Sequence, residues 1–178
     1  MILPIVTYGD PVLKTRAKTI TPDYPDLQQL IDDMFETMKN AQGVGLAAPQ
    51  IGKSIRLFLV DGTGMEEPDL ENFRLVFINP EIVEDDEEDV DFEEGCLSIP
   101  GLRGNVARPD EIVIRYQDRH FNEHEDTFSG IKARIIQHEF DHIEGVLFTD
   151  RLGFLQRNRL QRKLKAMARG DVKASYPL

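Results

Sequence analysis

Long apolar runs, paired cysteines and an excess of positive charge are all missing from this sequence. The single cysteine, Cys96, excludes an intrachain disulfide and fits a reducing compartment, so a cytoplasmic location is expected. No apolar run approaches the roughly 20 residues of a transmembrane helix, so no membrane partner is expected. Met1-Ile-Leu-Pro-Ile-Val lacks the basic start and long apolar stretch of a secretion signal. Basic residues number 21 against 32 acidic ones, a net charge of −11, which excludes a general binder of DNA or other nucleic acid. Internal repeats, low-complexity linkers and domain boundaries are absent too. The 178 residues suffice to bury a core, so residues 1–178 are expected to form one domain.

What is present centres on Gln137-His138-Glu139-Phe140-Asp141-His142, an H-E-x-x-H pattern. The stretch from Gly130 to Glu144 has no proline, Ser129 can cap its start and Gly145 can end it. At about 100° per residue the helix shows three stripes. Arg134, Gln137, Asp141 and Glu144 form a polar one, and Ala133, Ile136, Phe140 and Ile143 an apolar one. Ile131, Ile135, His138 and His142 form the third. A helix with two largely apolar faces belongs deep in a domain. There two imidazoles one turn apart can share a metal ion. Glu139 points too far round to be a ligand, yet it can reach a water beside the metal, as a general base does. The bland reading is a buried helix with two satisfied histidines.

The rest of the chain gives the frame. Leu27, Leu30, Ile31, Met34, Phe35 and Met38 mark a helix over residues 25–41. Gly43–Gly52 reads as an irregular small-residue loop that could let backbone approach a ligand, with Gln50 its one strong hydrogen-bonding side chain; taken alone, a packing turn is the ordinary reading. Ile55–Val60, Arg74–Val83 (bent at Pro80), Ile112–Tyr116 and Glu125–Phe128 read as strands. Asp61–Asn72 reads as a polar loop, Glu84–Glu94 as a solvated acidic turn and strand edge, and His120 and His124 as parts of a polar turn. The fold class expected is α+β: mainly antiparallel sheets around a central metal-binding helix, with N-terminal and C-terminal helices.

A catalytic metal site needs a third protein ligand and an open position. Downstream, Glu144 lies on the polar stripe, and Asp150 is the other acidic candidate. Upstream, Cys96 sits in Glu94-Gly95-Cys96-Leu97-Ser98, beside a glycine and polar residues, and is a plausible thiolate ligand.

Three motifs in order now carry a resemblance: Gly43–Gln50 (G-φ-G-L-A-A-x-Q), Glu94–Ser98 (E-G-C-L-S) and Gln137–His142 (Q-H-E-x-D-H). The sequence closely resembles the peptide deformylases, in particular the bacterial type that ends in a helix. The resemblance implies one catalytic domain that removes the formyl group from the formylmethionine of nascent polypeptides and releases formate. It implies Cys96, His138 and His142 as metal ligands and Glu139 as the base that activates the attacking water. Gln50 and the Leu97 N–H would stabilise the oxyanion. Gly45 would pair with the peptide through its backbone. Val44, Ile131 and Ile135 are candidates for the methionine slot. Fe²⁺ is the metal implied, with Zn²⁺, Ni²⁺ or Co²⁺ able to replace it. An internal-bond zinc peptidase leaves Cys96 and the Gly43–Gln50 loop unexplained, and a closed structural metal site lacks a fourth ligand.

The C-terminal stretch adds one expectation. Residues 154–170 read as a helix with an apolar stripe of Leu160, Leu164 and Met167. Arg157, Arg159, Arg162, Lys163, Lys165 and Arg169 surround that stripe, without a single acid. A solvated face is the ordinary reading of such a run. Given a nascent-chain substrate, a contact with ribosomal phosphates near the tunnel exit is the alternative.

Overall fold

A computed structural model describes residues 1–178. Helix α1 (Leu27–Asn40) is followed by strands β1 (Gly45–Ala47), β2 (Leu57–Asp61), β3 (Arg74–Asp85), β4 (Asp89–Cys96), β5 (Ile99–Pro109), β6 (Glu111–Gln117) and β7 (Glu123–Ser129). Helices α2 (Gly130–Ile143) and α3 (Phe154–Ala168) complete the chain's regular structure. Five strands form one antiparallel sheet in the order β1-β2-β3-β6-β7, and β4 and β5 form a separate antiparallel hairpin. The α+β class with antiparallel sheets and a C-terminal helix is as expected.

The period-2 alternation of a strand explains why β2 is apolar from Leu57 to Val60. Leu57 and Leu59 face a core shared with Ile31, Met34 and Met38 of α1, while Phe58 and Val60 face a second core with Ala133 and Ile136 of α2. The sheet is thus covered on both faces. A third core joins the hairpin to α3 through Leu102, Val106, Leu164 and Met167. Strand β3 bends where Asn79 takes φ +49° and the register with β6 shifts between Ile78 and Glu81, next to Pro80.

Several expectations need correction. Gly43–Gly52 is not wholly irregular: Gly45–Ala47 pairs with β2 as a sheet edge, and Ala48–Ile51 makes a 3-10 turn. Residues 99–109, given no element from the sequence, form the long strand β5. Ser129 precedes α2 without a side-chain cap, and Gly130 takes φ +59° instead. His124 lies on β7, stacked on Tyr116, not in a turn. The polar stripe of α2 is also buried: Arg134, Gln137 and Asp141 dock against the hairpin.

Candidate metal centre

The H-E-x-x-H helix lies between the main sheet and the hairpin, and that placement builds the site. From the hairpin, Cys96 ends β4 and the two-residue turn Leu97–Ser98 leads into β5. The Cys96 sulfur, a ring nitrogen of His138 and a ring nitrogen of His142 all lie within 4.8 Å of one another. His142 Nε2 stands 3.3 Å from His138 Nε2 and 3.3 Å from Cys96 Sγ. In a tetrahedron with nitrogen at about 2.0–2.1 Å and sulfur at about 2.3 Å from the ion, those separations are about 3.3 Å and about 3.5 Å. The donor set therefore fits one metal ion.

The imidazoles are oriented for it. Glu94 accepts a hydrogen bond from His138 Nδ1 at 2.9 Å, which leaves Nε2 free to face the sulfur and the other ring. Glu94 corrects another expectation. It closes the acidic stretch read as solvated, yet it is only 5% exposed, held by Arg108 and Arg134 as well as His138. Burial alone would raise its pKa, but the His138 and Arg108 hydrogen bonds win and hold it well below the usual carboxylate range. A sequence signal existed: on a strand Glu94 and Cys96 are two residues apart and share a face. Asp141 continues the network, accepting from Arg108 and Arg151. Deleting one partner from a buried group of this kind costs about 3–5 kcal/mol, because the others remain charged and unpaired. The rear nitrogen of His142, Nδ1, finds no partner within the protein. Glu144 faces Arg16 and Arg56, away from the cluster.

Glu139 lies beside the candidate metal donors, with Oε1 4.0 Å from His138 Nε2 and Oε2 buried without a partner. Burial pushes its carboxyl up to about 7, against the opposing pull of His138. Gln50 is 1% exposed, and its Oε1 accepts the Ala47 N–H at 3.0 Å. That bond turns Nε2 toward the hairpin turn, 3.2 Å from Ser98 Oγ and 3.5 Å from Cys96 Sγ. Leu97 lies between the two hairpin strands, and no acceptor in the protein takes its N–H.

A cavity of about 650 Å³ opens over these groups. Cys96, His138, Glu139, Gln50 and Leu97 line it, as do Gly45, Val44, Ile131 and Ile135. His142 lies beneath the lining, 1% exposed. Met65, Phe92 and residues 173–176 also line it; the first two lie in Asp61–Asn72 and Glu84–Glu94, expected as a polar loop and a solvated acidic stretch, and residues 173–176 carry no sequence expectation.

A family model described as polypeptide deformylase matches residues 2–158. The chain belongs to that family. Peptide deformylases from Christiangramia forsetii and Salinibacter ruber are each 49% identical to it; both matches take in 100% of this chain, with 95% and 94% of the relatives. A peptide deformylase from Legionella pneumophila, known from its crystal structure, is 41% identical with a TM-score of 0.83, over 95% of this chain and 96% of its own. A plant peptide deformylase structure gives 35% identity and a TM-score of 0.86, over 98% and 96%. The chain is thus a metal-dependent deformylase, an enzyme that removes the formyl group from N-terminal formylmethionine of nascent polypeptides. No helix of this deformylase is long and apolar enough to cross a membrane.

Proposed function

We propose that this chain, acting as a single unit, runs that deformylation through Cys96, His138, His142, Glu139, Gln50 and Leu97. The observation that carries the reading is the meeting of a Cys-His-His donor set with a buried, partnerless carboxylate oxygen in one cavity. A divalent ion held by the three donors supplies Lewis acidity, which makes water a nucleophile at neutral pH. Glu139 takes the proton of the attacking water and passes it to the departing amine. The Leu97 N–H and Gln50 Nε2 hold the oxygen of the formyl group as it gains charge. Gly45 lies on β1, which pairs only with β2, so its outer side is free to hold an extended peptide by backbone hydrogen bonds. Val44, Ile131 and Ile135 give the methionine side chain an apolar wall.

The metal is Fe²⁺ in the cell, with Zn²⁺, Ni²⁺ or Co²⁺ able to take its place, since thiolate and imidazole ligands accept all of them. The enzyme works in the cytoplasm. Arg159, Arg162, Lys163, Lys165 and Arg169 of the α3 region are exposed and make no ion pair, which supports a contact with ribosomal phosphates. Co-sedimentation with ribosomes that falls steeply with salt, and falls further when these residues are neutralised, is the expected outcome. Salt-independent binding would refute that contact.

The central test is formate release from a formyl-Met peptide by wild type and by Glu139→Ala, with metal content measured on both. The variant should lose turnover and keep its metal. Loss of both together would make Glu139 a ligand and overturn its role as base.

A further inference from the structure

Beyond α3 the chain returns to the cavity. Lys173, Ala174, Ser175 and Tyr176 form part of its lining, and the Pro177 carbonyl accepts the Ile5 N–H at 3.1 Å, which ties the tail to the N-terminal segment. The Tyr176 ring packs against the core between α1 and the sheet. Its hydroxyl donates to the Leu97 carbonyl at 2.7 Å. This tail lies after residue 158, outside the part of the chain that carries the family pattern.

Leu97 and Ser98 form the two-residue turn whose backbone presents the Leu97 N–H. Three bonds from distant segments pin that turn. Tyr8 N–H donates to the Ser98 carbonyl at 2.9 Å, Gln50 Nε2 to Ser98 Oγ at 3.2 Å, and Tyr176 to Leu97. The first two hold Ser98. Among hydrogen bonds from outside the hairpin, only the one from Tyr176 reaches Leu97 itself. On its other side the Leu97 side chain lies so close to Gly43 that a Cβ there would sit 2.8 Å from Leu97 Cδ1. Leu97 is therefore clamped between Gly43 and Tyr176.

We infer that Tyr176 is a positioning residue for deformylation: its hydroxyl fixes the Leu97 peptide so that the Leu97 N–H meets the developing oxyanion. This rests on the proposed role of Leu97. Donors aimed before the reaction stabilise charge without reorganising, and small displacements lose much of that effect. Burial, and then the charge of Cys96, pushes the Tyr176 hydroxyl up to about 12, so it remains a donor throughout the neutral range.

The test is Tyr176→Phe in the full chain, which removes one oxygen and keeps the ring. Tyr116→Phe is the control. It removes a 2.7 Å bond, to Asp126, outside the cavity lining. Kinetics on a formyl-Met peptide, metal content and thermal midpoint are measured for both. Tyr176→Phe should lower kcat about threefold to tenfold, the range for one hydrogen bond acting in the transition state, with KM and metal content unchanged. Tyr116→Phe should leave kcat alone. An unchanged kcat in Tyr176→Phe, or a loss matched by lost metal or by a comparable drop in Tyr116→Phe, would overturn the positioning role. Gln50→Ala separates this from the underlying reading. If it lowers kcat about 100-fold while Tyr176→Phe is silent, the oxyanion site stands and only the positioning role falls.

Discussion

A single missing carbon at position 45 governs where Glu139, the proposed base, can stand. A Cβ on Gly45 would lie 2.5 Å from Glu139 Oε1 and 2.8 Å from its Cδ and Cγ, inside any tolerable contact. Gly45→Ala should therefore push the carboxylate off its mark and lower kcat by about 10-fold to 100-fold, with the metal still bound. Steady-state formate release on metal-loaded protein checks this; an unaltered kcat would mean that the position of Glu139 is not critical. Residue 45 was legible as a glycine near a ligand, but not as the floor under Glu139, because that contact joins residues 94 positions apart. Glu94 escaped for a different reason. Nearly all its acidic neighbours are solvated, and only its two-residue spacing from Cys96, not composition, marks the one acid that meets two arginines and a histidine.

Among the elements, those with a clean periodicity were the readable ones. The stripe of α1 and the apolar and histidine faces of α2 follow 3.6-residue spacing, and β2 and β6 are rich in branched and aromatic residues. Strand β5 has a strict period of two as well: Leu102, Gly104, Val106 and Arg108 face inward. Its inward glycine and arginine break the apolar pattern, so hydropathy alone passes over it. The β6–β7 connection offers a test of element stability. The Asp118 carboxylate accepts the backbone N–H groups of His120 at 2.9 Å and Asn122 at 3.1 Å, and meets the His124 ring at 2.8 Å. Burial works against its ionised form, but these bonds prevail and lower its pKa from 3.8 to about 2. A depressed carboxylate pKa contributes stability above the unfolded value, and that contribution fades as pH falls from about 4 to about 2. Asp118→Asn should cost about 1 kcal/mol at pH 6, a figure reduced for partial exposure to solvent, and the difference from wild type should shrink to a small fraction by about pH 2, the folded pKa, and disappear below it. Denaturant melts at pH 6 and about pH 2 decide it; a gap that stays at its full size at the lower pH would exclude the charge as its source.

Across the whole molecule, the proposed metal donors straddle the junction of two layers, which is otherwise held by polar contacts such as Arg108–Asp141, Arg134–Glu94 and Gln137–Pro109. Cys96 belongs to the hairpin with its own core, and the histidines to the helix packed on the main sheet. A ligand that binds only the folded state stabilises it by mass action, by about 2.7 kcal/mol at 100 times its dissociation constant. Stripping the metal with a chelator should lower the thermal midpoint by several degrees, and restoring it should reverse the shift. An identical midpoint with and without metal would show that the donors are held together without it.

The turn at Leu97–Ser98 also sets an order in time. Its fastenings come from residues 8, 50 and 176, which leave a ribosome far apart during synthesis. Chains fold from the N-terminal side as they emerge, at about 5–20 residues per second. The metal donors can meet once residue 142 is out, but the clasp on Leu97 must wait for residue 176. An enzyme whose substrates are unfinished chains thus gains the clasp on Leu97 only after its cysteine and histidine donors have emerged.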